Sequence, residues 1–402
     1  MLGSSSRATD GDFSSAGMFK LGDDGQLTAI GVFVDEDGKE SRSDLTVSPV
    51  YVYNLTDDYI GFELCSYFDK DGDPVQATDE YRNLIVRRSD GLVFSAKGIG
   101  GSDYPTFNPM GASFTEDGAG RLLAAFYTFT PANPGYIGRI TLTKGKGTWE
   151  QLSTDGSPIQ YSDYPKVFAM NNGLVGMTVD CKQDGVYNSA GRTAGIIYPN
   201  GGYDAFGERN GDASYLVLDD AILELSREQP KYIHLGTAYG ESSVEMLPKY
   251  ELSSYYYGIR SWYETSDKVI FNTSEQKYVA FDKYTMETKA FELVFDDNIF
   301  LWKENLCSDG RFYGIAKENG RVCKAVSFDP VTFSYTEKDL NIANEIDITY
   351  IANDSRNAKA QMTGTRRSDG YKVAVSVDLK TAQTDIIFSD PNRAIISLIP
   401  LN

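Results

Sequence analysis

The chain has 402 residues, with 38 Lys plus Arg against 57 Asp plus Glu and a single His, for a formal charge of −19. That length excludes one small domain and leaves either two or three ordinary domains or one large repetitive one. Hydrophobic residues at 41% and aromatics at 13% exclude a disordered chain, and the acidity without any basic run excludes a nucleic-acid binder, because phosphate would be repelled.

The first residues, Met1 to about residue 15, are rich in Ser, Gly and Asp and carry no apolar h-region. They are expected to form a flexible leader, either an ordinary terminus or the tether left by a processed export signal. A single domain is expected over residues 16–402. No run of 18 apolar residues follows, so no membrane-spanning helix is predicted. Met18 to Val34 is predicted as a hairpin with no first strand before it.

From there short runs of Tyr, Phe, Val, Ile and Thr alternate with turn dipeptides such as Asp71-Gly72, Asp117-Gly118, Asp309-Gly310, Asn319-Gly320 and Asp369-Gly370. These dipeptides accept positive φ cheaply and suit antiparallel hairpins. Only short stretches such as Asp219 to Gln229 could pass for helix. First strands are predicted near residues 49, 109, 165, 214, 256, 298, 346 and 394, at intervals of 42 to 60, which is the period of four-stranded blades. Turns between third and fourth strands recur in step at Lys144-Gly145-Lys146, Lys283-Tyr284-Thr285, Pro330-Val331-Thr332 and Lys380-Thr381-Ala382. The predicted fold class is all-β: a β-propeller of four-stranded antiparallel blades, eight in number, with seven as the alternative. The ring would close by pairing the N-terminal hairpin with the last strand, Ala394 to Pro400, which removes the open edges.

Along the chain, Asp69, Asp71 and Asp73, with Glu80, mimic the oxygen spacing of a calcium loop, although Pro74 stands where the turn glycine belongs. A solvated acidic turn fits as well, and no other cofactor is indicated. Ser102-Asp103-Tyr104-Pro105 and Ser162-Asp163-Tyr164-Pro165 repeat a motif just before two first strands. Proline biases the preceding Tyr to extended geometry, so Asp103, Tyr104, Asp163 and Tyr164 are candidate ligand contacts at one mouth of the channel, or alternatively packed corners. Alternation puts Tyr256, Arg260 and Trp262 on one strand face, and Trp302 follows a blade later. These aromatic and basic groups could stack on a sugar, an aromatic ligand or a peptide side chain.

Any Ser-His-Asp or Cys-His triad must pass through His234, which lies in a predicted strand with no nucleophile elbow nearby. Cys65, Cys181, Cys307 and Cys323 show no zinc spacing. If Asn319-Gly320 is a two-residue turn, Cys323 falls opposite Ala316, about 16 Å from Cys307 at ~3.3 Å per residue, so that pair cannot bridge and four free thiols are expected. Paired carboxylates remain possible among 57 acids. The Trp-Asp, kelch and Asp-box patterns of familiar propellers are absent.

The segments Met18-Phe19-Lys20-Leu21-Gly22-Asp23-Asp24-Gly25-Gln26-Leu27 and Tyr51-Val52-Tyr53-Asn54-Leu55-Thr56-Asp57-Asp58-Tyr59-Ile60 resemble uncharacterised β-propeller surface lipoproteins of gut Bacteroidetes. The resemblance implies export, a lipid anchor at the outer membrane of a Gram-negative cell, and capture of nutrients or siderophores. No Cys stands in the leader here, so anchoring would require a longer N-terminus. The functional expectation is a non-catalytic propeller binding a glycan, siderophore or peptide at the cell surface. The alternative is a carboxylate-dependent glycoside hydrolase or lyase on the same ring.

Overall fold

The computed structural model describes residues 2–7, 17–21, 27–29, 46–68, 74–76, 83–89, 92–102, 105, 107, 112–117, 119–126, 135–154, 157–158, 160–161, 164–180, 193–199, 202–207, 213–226, 229–238, 240–247, 259–273, 277–285, 287–292, 301–318 and 321–399. Among them the chain is nearly all β, broken by single 3-10 turns such as Ile99–Gly101 and Lys303–Asn305.

Four-stranded meanders recur, each paired in chain order. One comprises Tyr164–Ala169, Val175–Asp180, Thr193–Ile197 and Tyr203–Phe206. The next is Ala213–Val217, Ala221–Ser226, Lys231–Leu235 and Ser242–Met246, followed by Ile259–Glu264, Lys268–Thr273, Lys277–Asp282 and Thr288–Glu292. Ile346–Asp354, Lys359–Arg366, Lys372–Asp378 and Thr384–Asp390 form a fourth, preceded by a three-stranded sheet of Phe312–Glu318, Arg321–Phe328 and Tyr335–Asp339.

Earlier in the chain, Thr46–Asn54, Tyr59–Phe68, Asn83–Arg87 and Val93–Ser95 pair in order, as do Ala112–Glu116, Leu122–Phe126, Gly135–Thr143 and Lys146–Gln151. These two sheets join through their outer strands. Ser95 pairs in parallel with Lys146, and the Ser95 N–H donates to the Gly145 carbonyl at 2.8 Å. Successive meanders whose first strands face a common centre are the arrangement of a β-propeller.

Burial is greatest on the second strands and falls off toward the outer ones. Ala221–Leu225 is buried throughout, whereas the outer strand Ser242–Met246 is exposed throughout. A strand covered on both faces reads as a continuous apolar run rather than an alternating one. That is why Asp219 to Gln229 resembled helix: its Ala-Ile-Leu-Glu-Leu is a second strand. The core lies between sheets. One cluster runs from Leu174 through Leu223 and Trp262 to Phe281, across three consecutive meanders.

Turn chemistry repeats with the sheets. The Oδ1 of Asp282 accepts the N–H groups of Tyr284 and Thr285 at 3.0 and 2.9 Å. Asp329 accepts those of Val331 and Thr332 at 2.8 and 3.1 Å, and Asp378 those of Lys380 and Thr381 at 2.9 and 2.8 Å. Each threonine Oγ1 then accepts the N–H two residues on, at 3.3 Å. An Asp-x-x-Thr turn therefore folds its own corner in three successive sheets. At Asp282 the Thr285 and Tyr284 N–H groups draw the carboxyl below its usual value; at Asp329 and Asp378 burial pulls upward and the hydrogen bonds outweigh it.

The ends of the described chain correct the sequence reading. Leu2–Arg7, expected in the flexible leader, is a strand. It pairs with Gly17–Leu21 on one edge, Gly3 opposite Phe19, and with Arg393–Ile399 on the other, Gly3 opposite Leu398. The C-terminal strand thus meets Leu2–Arg7 and not the hairpin of Gly17–Leu21 and Leu27–Ala29 directly. The segment Leu-Gly-Ser-Ser-Ser-Arg has little strand propensity of its own, but two flanking edges supply hydrogen bonds along both sides.

Cys307 is a buried free thiol. The 312–318/321–328 ladder carries a bulge at Cys323, between the pairs Ala316–Lys324 and Lys317–Val322. The bulge shifts the register by one from the sequence expectation: Ala316 pairs with Lys324, and Cys323 is the unpaired bulge residue rather than the partner of Ala316. No helix among the described residues is long and apolar enough to cross a membrane.

Candidate ligand site in the central cavity

First strands and the hairpins that follow them converge on a cavity of about 790 Å³. Six meanders contribute, through Asn54 to Asp58, Ala112 to Glu116, Lys166 to Ala169, Val217 to Asp219, Trp262 to Glu264 and Arg356, joined by Trp302, Lys303, Asn305 and Leu306 around the 3-10 turn of Lys303–Asn305.

The wall is aromatic because large side chains from non-adjacent sheets meet across it. Phe168 lies 5.0 Å from Trp262 and 5.7 Å from Trp302, and the two indoles are 4.9 Å apart, edge to face. Trp262 is buried and its Nε1–H donates to the Val217 carbonyl at 2.8 Å. That carbonyl is available for a reason. Leu218 N–H bonds to Ala221, so the neighbouring Val217–Ile222 pair is a non-hydrogen-bonded one and its backbone groups point away from the partner strand. On a first strand, away from the partner means toward the centre. Phe114, 5.9 Å from Phe107 and 5.7 Å from Phe126, continues the wall.

The polar lining is mostly ion-paired. Arg356 bridges to Asp57, Lys303 to Asp219 at 2.6 Å, and Lys283, just behind the wall, to Glu264 at 2.6 Å. Burial lifts the Asp57 carboxyl above its usual value in spite of Arg356 and Arg88. It lowers the Arg88 guanidinium, even with Asp354, Asp57 and Asp58 nearby. Glu116 differs, since its companion is another acid. Its Oε1 accepts the Asp58 N–H at 3.4 Å, and the two carboxyls lie within hydrogen-bonding reach. Burial lifts the Glu116 carboxyl; the Thr56 hydroxyl and Asp58 N–H oppose that, and the Asp58 charge adds to it.

Of the candidates from sequence, Trp262 and Trp302 line the cavity together. Tyr164 begins its strand opposite Asp180. Arg260 falls at a bulge between the pairs Ile259–Thr273 and Ser261–Asn272, so simple alternation no longer ties its face to that of Trp262. Asp103, Tyr104, Asp163 and Tyr256, and the calcium candidates Asp69, Asp71 and Asp73, lie outside the described residues. Among the described residues no group of three or more His, Cys, Asp or Glu is placed to hold a metal. His234 is exposed on a third strand, its Nε2 2.9 Å from Glu245, away from the cavity.

Sequence reasoning missed the charged half of the site. It looked to the Ser-Asp-Tyr-Pro connections, which enter first strands at their N-terminal ends. The cavity acids Asp57, Asp58, Glu116, Asp219 and Glu264 instead sit at the C-terminal ends or in the hairpins just beyond. An acid at that position, recurring in step with the repeat, was the available signal.

No family model matches the chain, and no curated protein matches it by sequence. Among solved structures, AztD from Citrobacter koseri is similar at 10% identity and a TM-score of 0.44, covering 98% of each chain. The β-propeller domain of Cps50 (Swd1) from Myceliophteria thermophila is similar at 10% identity and 0.36, over 69% of this chain and 95% of that one. The WD40 β-propeller domain of Doa1 gives 11% and 0.38, over 80% and 94%. Likenesses of this order carry no argument about what the chain binds or does.

Proposed function

We propose that the chain is an eight-bladed β-propeller acting as an exported, non-catalytic binding protein at the surface of a Gram-negative bacterium, with a glycan, siderophore or peptide held in the central cavity. The eight blades are the sheets whose first strands begin at Thr46, Ala112, Tyr164, Ala213, Ile259, the Leu301 segment, Ile346 and Arg393, closed by the ladder of Arg393–Ile399 with Leu2–Arg7. One observation carries the binding reading: side chains from six meanders and the Trp302–Leu306 segment meet in a cavity of about 790 Å³ with an aromatic wall and a charged rim, the usual make-up of a small-ligand site. Export and surface anchoring rest on the resemblance of the Met18–Leu27 and Tyr51–Ile60 segments to surface lipoproteins.

The glycoside hydrolase alternative needs two carboxyls about 5–5.5 Å apart for retention or about 6.5–9.5 Å for inversion. Asp58 and Glu116 are joined through the Asp58 N–H on the Glu116 carboxylate, and Asp57, Asp219 and Glu264 are each tied to a base. Binding is therefore the better-supported reading.

A panel of glycans, ferric siderophores and short peptides, followed by tryptophan fluorescence and by product analysis, tests it. Saturable quenching that Trp302→Ala abolishes is the expected result. Release of product from any glycan, or quenching untouched by Trp302→Ala, would overturn the reading.

A further inference from the structure

The cavity carboxylates outnumber its bases: Asp57, Asp58, Glu116, Asp219 and Glu264 against Lys166, Lys303 and Arg356. Three of the acids already have a base, as described above. Among the described residues no Lys or Arg is ion-paired with Asp58 or Glu116, whose hydrogen-bonding groups are the Thr56 hydroxyl, backbone N–H and each other. Two acids brought together repel one another, and a cation set against them would relieve that. Phe114, two residues before Glu116 on the same strand, and the Phe168–Trp262–Trp302 cluster line the same cavity. Aromatic faces beside carboxylates attract organic cations and give nothing to an anion.

We infer that the ligand held in this cavity is an organic cation, a molecule with an ammonium or guanidinium head set against Asp58 and Glu116 and an apolar body against the aromatic wall. The inference rests on the cavity-binding reading above and narrows it to one ligand class. It also gives the site its selectivity, because a neutral isostere keeps the stacking and loses the charge.

The test uses the full chain with choline as the cationic probe, its neutral isostere 3,3-dimethylbutan-1-ol, and hexanoate as an anion, read by calorimetry and by tryptophan fluorescence. Choline is expected to bind saturably, at least tenfold more tightly than the alcohol, with hexanoate silent. Glu116→Gln and Asp58→Asn should each weaken choline at least tenfold and leave the alcohol unchanged, while Glu245→Gln, on an exposed outer strand, leaves both alone. Circular dichroism confirms that the variants fold, and either carboxamide suffices if the other does not.

Equal affinity for choline and the alcohol, choline binding unchanged in a folded carboxamide variant, or tighter binding of hexanoate would each overturn the inference. So would silence of choline. If choline is silent but a neutral glycan or peptide still quenches in a Trp302-dependent way, the cationic class fails and the cavity reading stands.

Discussion

Replacing Trp262 by Phe keeps an aromatic ring in the cavity wall and removes one indole N–H. The Val217 carbonyl then loses the 2.8 Å bond that compensates its desolvation. An unsatisfied buried acceptor costs about 1–3 kcal/mol. The smaller ring also loosens the edge-to-face contact with Trp302 at 4.9 Å and the packing on Phe168 at 5.0 Å, where such pairs are worth about 0.5–1.5 kcal/mol. Together the loss should be about 2–4 kcal/mol. Trp262→Ala, which also opens a void, belongs in the range of about 3–5 kcal/mol seen for large core truncations, or above it. Urea unfolding followed by circular dichroism reads the change as a shift in midpoint at constant slope. A Trp262→Phe protein within about 0.5 kcal/mol of the parent, the level of an ordinary surface substitution, would refute the claim that the indole satisfies a centre-facing carbonyl.

Three further outcomes follow from the same geometry. Ser4→Pro, in the strand between Gly17–Leu21 and Arg393–Ile399, removes a ladder donor in mid-sheet and should cost about 3 kcal/mol; an unchanged thermal midpoint would show that the terminal ladder adds nothing to stability. Asp329→Ala leaves the N–H groups of Val331 and Thr332 without their acceptor and should lower stability by about 1 kcal/mol, with Asp329→Asn nearer the parent, both read by denaturant midpoint. Glu116 has a carboxyl held above its ordinary value of 4.5, so its contribution to stability is present below that pH and is lost as pH rises through the raised value. Glu116→Gln should therefore raise the thermal midpoint at pH 7 and lose that advantage below about pH 4.5; a lower midpoint at pH 7 would reverse the sign argued here.

Much of the fold was legible because each sheet announces itself twice, by apolar runs at a steady spacing and by turn residues between them. Predicted first-strand starts near 165, 214 and 346 fall within one residue of Tyr164, Ala213 and Ile346. What escaped depends on the partner, not on the segment. Leu2–Arg7 is a strand because two edges flank it, and Ala221–Ser226 reads as helix because burial on both faces erases alternation. The site divides similarly. Trp262 and Trp302 stood out as rare bulky residues. Their contact with Phe168, and the meeting of Asp58 with Glu116 across 58 residues of chain, arise only when the sheets stand side by side.

The parallel join between Ser95 and Lys146 ties the Thr46–Ser95 and Ala112–Gln151 meanders edge to edge through the backbone. The two sheets on either side cannot shear apart without breaking it, so they belong to one cooperative opening unit. Amide exchange at Ser95 would consequently report the opening of both meanders together, at the slower of their two rates.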